Sequence, residues 1–136
     1  MVTKVPVTTT NKTTKASKKE SGDAGEARAL AHLLAQGLAL VLRNYRVARG
    51  PHARGGEIDL ILRERDGTLV FAEVRSRRSS AHGGAAASVS AAKQRSLILA
   101  AQHFLGAQRT VPPCRFDVIA IDDERIEWLK AAFDAS

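Results

Sequence analysis

Two acidic residues inside otherwise apolar, strand-like runs are the first candidates for chemistry in this sequence. Asp59 lies within the run EIDLIL, and Glu73 lies within VFAEVR. Aspartate is disfavoured inside strands, and a buried carboxylate is costly unless a cation or hydrogen bonds compensate its charge. Either acid taken alone is equally well explained as an outward-facing charge on a half-exposed sheet. A site is therefore predicted only if the two acids meet.

The turn between the two runs decides this question. A two-residue turn at Asp66-Gly67 would point the acids to opposite faces. A three-residue loop at 65–67, in which a type I turn closes with glycine in a G1 bulge, would place Asp59 opposite Glu73. We favour the three-residue loop because it collects polar side chains on one face. The polar face would carry Glu57, Asp59, Glu73 and Arg75, and the apolar face Ile58, Leu60, Leu62, Ala72 and Val74.

Two carboxylates on adjacent strands, with a cation two residues beyond one of them, form a site for a hard metal ion. Mg²⁺ prefers oxygen ligands and keeps several waters, so two carboxylates are enough to hold it. Such an ion can polarise a phosphate oxygen and lower the pKa of a bound water. Arg75 would stabilise the charge that grows on the phosphorus. The pattern predicts a site for Mg²⁺, with Mn²⁺ as the alternative, held by Asp59 and Glu73.

The elements that must position these residues are predicted in the order α-β-β-β-α-β-β. Helices are predicted over about 23–37 and 88–107, and strands over 40–47, 57–64, 68–76, 115–122 and 125–130. Residues 1–20 are rich in Thr and Lys and poor in large apolar side chains, so they are predicted to be a flexible basic tail. Residues 21–136 are predicted to be a single domain.

The charge and composition of the chain indicate which binding partners and which cellular compartment to expect. The net charge of +7 favours phosphate-bearing partners, although five lysines and one glutamate in residues 1–20 carry +4 of it and leave +3. The single cysteine excludes an intrachain disulfide and suits a reducing compartment. There is no run of roughly 18 apolar residues for a membrane span, and the N-terminus lacks the apolar core of a secretory signal. We therefore expect a cytoplasmic protein without a membrane partner.

Four segments in a fixed order carry a resemblance to a known family. GEIDLI (56–61), VFAEVRSR (70–77), Lys93-Gln94 on a helix and RFDVIAI (115–121) resemble the YraN-like uncharacterised bacterial family over about residues 22–130. Gly25-Glu26 and Arg43-Asn44 fit the same pattern. That family is similar to the PD-(D/E)XK nuclease superfamily, in particular to archaeal Holliday-junction resolvases. The resemblance implies a restriction-endonuclease-like α/β fold, in which helices flank a mixed central sheet of about five strands. It also implies a nucleic-acid partner, structured or branched DNA, and a homodimer.

The resemblance assigns a role to each matching residue. Asp59 would bind the metal, Glu73 would be the acid of the E-x-K element, and Glu26 would be an additional acid carried by the first helix. Lys93 and Gln94 would face the DNA or the site. Two of these residues also have a purely structural interpretation. Glu26 fits position N3 of a capping box that begins at Asp23, and Lys93 fits a surface lysine whose stem covers apolar area.

One position departs from the family pattern, because Arg75 stands where the E-x-K element has lysine. Arginine keeps the positive charge and can hold a phosphate bidentately, but it does not give up its proton and its planar fork needs a different geometry. Two functions therefore stay open: a Mg²⁺-dependent DNA endonuclease, and a nucleic-acid-binding module that kept the scaffold without the chemistry. A third is a protein-binding adaptor whose acidic pair is solvated.

The remaining predictions concern residues around this core. Arginines in loops beside the site would contact phosphates without reading sequence; they are Arg46, Arg49, Arg54, Arg77 and Arg78. Asp117 either supports the site, or caps an element or pairs with an arginine at a strand edge. Cys114 and Trp128 are predicted to pack in the core.

Overall fold

The computed structural model describes residues 18–48, 55–76, 89–122 and 124–135. Within these ranges the helices are α1 (Lys18–Ala35) and α2 (Ala91–Gly106). The strands are β1 (Ala39–Val47), β2 (Gly56–Arg63), β3 (Leu69–Ser76), β4 (Cys114–Ile121) and β5 (Ile126–Phe133). The predicted order α-β-β-β-α-β-β and the mixed α/β class are confirmed. Neither helix in the described ranges is long and apolar enough to span a membrane.

The five strands form one sheet in the spatial order β1-β2-β3-β4-β5. Only the β3–β4 pair is parallel, and α2 lies in the crossover that a parallel pair requires. The two helices cover opposite faces of the sheet, each above its own apolar cluster. The cluster under α2 contains Phe71, Leu97, Ala100, Phe104 and Phe116, and the cluster under α1 contains Ala29, Leu33, Leu60, Leu62 and Ile119. The sheet is therefore buried on both faces, as the apolar runs of β3 and β4 require.

The β2–β3 hairpin closes through the three-residue loop that the sequence favoured. The main-chain N–H of Glu64 donates to Thr68 O at 2.9 Å, and that of Gly67 donates to Glu64 O at 2.9 Å. Gly67 has φ +95°, a left-handed conformation that glycine adopts without steric penalty. The register pairs Leu60 with Ala72. Continued by one residue, this register sets Asp59 opposite Glu73, so the three-residue loop is confirmed.

The two strands stop pairing just before they reach the acids. In the described residues the ladder ends at Leu60–Ala72, although both strands continue beyond it. The main-chain N–H of Val74 donates at 2.9 Å to Asp59 Oδ2 instead of to a backbone carbonyl. The Asp59 side chain thus satisfies a donor that strand pairing leaves free.

This irregularity corrects one prediction about the apolar face. Ile58 packs with Ile61 in the cluster under α2, whereas Leu60 and Leu62 pack under α1. A regular strand would put residues 58, 60 and 62 on the same side. The assignment of Ile58 to the face of Leu60 and Leu62 was wrong because the alternation of β2 breaks around Asp59.

The prediction for Cys114 was also wrong. Cys114 is exposed, because it begins β4 at the end of the sheet rather than in the core. Trp128 is only partly buried, and it packs against the cluster under α1.

Candidate active site

Asp59 and Glu73 form a buried acidic pair where β2 and β3 separate. Asp59 is 8% exposed and Glu73 is 3% exposed. Two cations lie beside one oxygen of Glu73, since Arg75 Nη1 and Lys93 Nζ are each 3.7 Å from Glu73 Oε2. The other oxygen, Glu73 Oε1, is buried without a hydrogen-bond partner. An unpartnered buried carboxylate oxygen is unusual in a folded protein and calls for a functional explanation.

Burial and the charge of Asp59 together raise the pKa of Glu73 to about 8, against the opposing effect of Lys93 and Arg75. Two carboxyl groups this close cannot both stay ionised unless more positive charge is present. A divalent cation would supply that charge and would also give Glu73 Oε1 a partner. The donor set consists of carboxylate oxygens, which Mg²⁺ and Mn²⁺ prefer, so these residues fit such an ion.

Lys93 reaches the pair from the first turn of α2. Ser90 is the N-cap of this helix, and its Oγ accepts a hydrogen bond of 3.1 Å from the main-chain N–H of Lys93. The helix lies directly on β2 because residue 56 has no side chain. A Cβ on Gly56 would lie 2.5 Å from Ser96 O and 2.7 Å from Ala100 N, closer than atoms can approach. Gly56 therefore sets how near α2, and with it Lys93, comes to the acids.

Glu26 approaches the pair from α1, on the other face of the sheet. Burial raises the pKa of Glu26, and the charges of Asp59 and Asp23 raise it further. Arg43 Nη2 lies 3.9 Å from Glu26 Oε1, and Arg43 and the Asn44 side chain oppose this rise in the pKa of Glu26. Asn44 has φ +53°, a left-handed conformation that asparagine tolerates better than most residues. Because α1 begins at Lys18, Asp23 lies inside the helix, so the capping-box reading of Glu26 was wrong.

The other predicted residues have partners of their own or lie outside the described ranges. The Gln94 side chain donates to Val89 O at 3.2 Å, so it secures the start of α2. Glu57 forms an ion pair with Arg46 at 3.3 Å. The predicted phosphate-binding residues Arg54, Arg77 and Arg78, together with Arg49, lie outside the described residues. In the ranges that the structure describes, no three His, Cys, Asp or Glu side chains come together as a metal-ligating group. Among the described residues, Glu26 therefore does not form such a group with Asp59 and Glu73.

A groove along α2 leads to Lys93. It consists of two neighbouring clefts of about 420 and 400 Å³, and both are lined by Gly55, Lys93 and Ser96. The first cleft is completed by Ser90, Ala92, Arg95 and Leu99, and the second by Arg46, Val47, Ala48, Gly56 and Glu57. Three cations and one acid thus line the groove, which suits a phosphate backbone.

Asp117 belongs to a separate buried network that joins β4 to β5. Its carboxylate is fully buried, and it accepts hydrogen bonds from Arg115 Nε, Trp128 Nε1 and the Ala131 N–H. Arg115 also pairs with Glu64. Of the readings of Asp117, pairing with an arginine is the one confirmed.

Sequence reasoning missed the residues that hold the site residues in place. Arg43 and Asn44 appeared only as part of the family resemblance, and no periodicity indicated their contact with Glu26. Gly56 was visible as the first letter of GEIDLI, but its contact with α2 depends on tertiary packing. The 3.7 Å approach of Lys93 to Glu73 is likewise a long-range contact.

The fold and this cluster define a mixed α/β domain with a buried acidic pair served by cations from β3 and α2. The uncharacterised protein family UPF0102 matches residues 25–121. A UPF0102 protein of Methylibium petroleiphilum is 64% identical over 118 residues, which cover 87% of this chain and 97% of that protein. A UPF0102 protein of an Acidovorax species is 61% identical over 118 residues, covering 87% of each chain. A UPF0102 protein of Cupriavidus taiwanensis is 56% identical over 119 residues, covering 88% of this chain and 86% of that protein. The chain belongs to UPF0102, the YraN-like family, and placement in the restriction-endonuclease-like superfamily is consistent with this membership.

Proposed function

We propose that this protein is a divalent-cation-dependent nuclease that hydrolyses phosphodiester bonds in DNA. The observation that carries the proposal is the buried pair of Asp59 and Glu73, with one unpartnered oxygen and two cations 3.7 Å from the other. Burying two carboxyl groups side by side destabilises the fold, because both cannot keep their charge without compensation, so a purely structural role does not account for them. Groups with strongly perturbed ionisation beside a cleft are typical of active sites.

Asp59 and Glu73 would hold Mg²⁺ or Mn²⁺. The hydrogen bond from the Val74 N–H fixes the Asp59 carboxylate, and burial limits the movement of Glu73. When bound, the ion supplies Lewis-acid polarisation of a phosphate oxygen. Glu26 would add negative charge on the α1 side and so strengthen the attraction for a cation. Arg75, which is 39% exposed in its side chain, stands at the rim of the site, where its guanidinium would bind a phosphate.

The groove along α2 would bind the nucleic acid through its phosphates. Its three cations are Arg46, Lys93 and Arg95, and Lys93 also touches the acidic pair. A strand lying in this groove would bring a phosphodiester to Asp59 and Glu73. A preference for branched DNA, action as a homodimer and a cytoplasmic location are parts of the proposal that rest on the resemblance and the sequence composition.

The first test is metal binding by calorimetry on the full chain. We expect Mg²⁺ or Mn²⁺ to bind the unmodified chain, and binding to be lost in Asp59→Asn and Glu73→Gln. Glu124→Gln, the same change at an exposed position in the β4–β5 turn, should bind as the unmodified chain does. In parallel, a labelled four-way junction and a plain duplex are incubated with each chain. Cleavage that requires both the metal and the two acids supports a nuclease; metal binding without cleavage of any DNA contradicts it.

A second candidate function is a nucleic-acid-binding module without catalysis. Arg75 favours it, since arginine stands where the related nucleases have lysine. Junction binding that weakens steeply as salt rises, with neither metal uptake nor cleavage, would support this candidate. If the protein neither cleaves nor binds DNA, but binds a protein partner with an affinity that changes little with salt, it would be an adaptor.

A further inference from the structure

Glu73 is paired with a lysine from a different element than the family pattern indicates. The strand position two residues after Glu73 holds Arg75, which lacks the compact ammonium group of lysine. Lys93 on α2 places its ammonium 3.7 Å from Glu73 Oε2, the same distance as Arg75 Nη1. The acid therefore has both kinds of cation beside it, one from its own strand and one from the helix above it.

Lys93 is the cation that connects the groove with the acidic pair. Its side chain is 29% exposed, and it lines both clefts of the groove, whereas Arg75 lines neither. The ammonium thus stands between the groove and the acidic pair. A phosphate bound in the groove would meet this ammonium, which also contacts Glu73.

Packing of α2 on the sheet fixes the backbone position from which the Lys93 side chain reaches Glu73. Its helix is capped by Ser90 and lies on Gly56, where any larger residue would push it away. Leu97 and Ala100, one and two turns further along α2, are buried against the sheet. A cation held in this way is preorganised to stabilise negative charge, because little reorganisation is needed when that charge develops.

We propose that Lys93 is a catalytic residue of this site, whose ammonium contacts the scissile phosphate beside the cation held by Asp59 and Glu73. The ammonium keeps its protons, and its role is electrostatic. Arg75 binds a neighbouring phosphate and positions the strand. This inference rests on the proposed nuclease function, and it assigns to α2 the charge that related nucleases carry on the strand.

The test separates metal binding from turnover. Lys93→Gln, Arg75→Gln and Lys130→Gln are compared with the unmodified chain, first for Mn²⁺ binding by calorimetry and then for cleavage of a labelled four-way junction at saturating Mn²⁺. Lys130 is the matched control, because it is exposed on the edge strand β5, which is separated from β3 by β4. We expect all four chains to bind Mn²⁺. We expect kcat to fall about 100-fold or more in Lys93→Gln, KM to rise mainly in Arg75→Gln, and Lys130→Gln to be unchanged.

A relocation variant sharpens the test. Combining Lys93→Gln with Arg75→Lys returns a lysine to the strand, and we expect it to recover at least part of the lost kcat. If Lys93→Gln binds Mn²⁺ and cleaves at the rate of the unmodified chain, the catalytic role of Lys93 is overturned, but the proposed nuclease function is not. An unmodified chain that binds no metal and cleaves no DNA would overturn the proposed function and this role together.

Discussion

Replacing Glu73 by glutamine should make the metal-free protein more stable at neutral and alkaline pH. Burial beside Asp59 raises the pKa of Glu73 from its ordinary value of 4.5 to about 8 in the folded chain. Between these two pH values the folded chain holds a proton that the unfolded chain has lost. The free energy of unfolding therefore falls as pH rises through this window.

The size of the effect follows from the two pKa values. The slope is about 1.4 kcal/mol per pH unit, so the stability lost by pH 8 is on the order of 4 kcal/mol. This is a large fraction of the roughly 5–15 kcal/mol that stabilises a typical domain. Glutamine at position 73 carries no titrating group, and it keeps nearly the same shape. Its stability curve should lack this slope and should meet that of the unmodified chain below pH 4.5.

Urea denaturation at a series of pH values, with a chelator present, measures the difference. Trp128 is the only tryptophan and is partly buried, so its fluorescence reports unfolding. Glu124→Gln serves as the exposed control. With saturating Mn²⁺ the unmodified chain should instead be more stable than Glu73→Gln, because the ion would stabilise only the chain that binds it. Parallel curves for the unmodified chain and Glu73→Gln across pH 5–8 would refute the reasoning.

Three further substitutions test the supporting structure. Asp117→Ala should lower the free energy of unfolding by about 3–5 kcal/mol in urea denaturation, since it leaves the half-buried Arg115 without its main partner; a loss below 1 kcal/mol would contradict the network. Gly56→Ala should lower stability by about 1–3 kcal/mol and slow DNA cleavage while Mn²⁺ binding persists, because α2 must shift and carry Lys93 with it. Equal cleavage rates in Gly56→Ala and the unmodified chain would show that cleavage does not depend on how closely α2 approaches β2. Ala131→Gly should raise the melting temperature, since Ala131 has φ +51°; a lower melting temperature would mean that this conformation is not strained.

The order of the elements and the meeting of Asp59 with Glu73 could be predicted because both depend on local signals. Alternation of apolar residues marks the strands, and Asp66-Gly67 marks the hairpin. Once the loop is taken as three residues, the register of the hairpin places the two acids opposite each other. The sequence also indicated Glu26 and Lys93, although only as one reading among others.

The rest depends on contacts that no local pattern contains. Ile58 lies on the unexpected face because β2 becomes irregular where Asp59 accepts a hydrogen bond from Val74. Cys114 has apolar neighbours along the chain, but it lies where the sheet ends. The left-handed conformation of Asn44 and its contact with Glu26 arise only when α1 packs on the sheet.

The acids and their helix-borne cation come together by different routes as the chain folds. Asp59 and Glu73 belong to one hairpin with a short loop, whereas Lys93 arrives only when α2 docks on Gly56. Since local contacts generally form before distant ones, we expect hairpin closure to bring the two carboxylates together with only one of their two cations, Arg75 on β3, already on the same hairpin. Their repulsion then opposes an early folding step, and mild acid would relieve it. The residues that we assign to catalysis would in this way also raise the kinetic barrier to forming the domain.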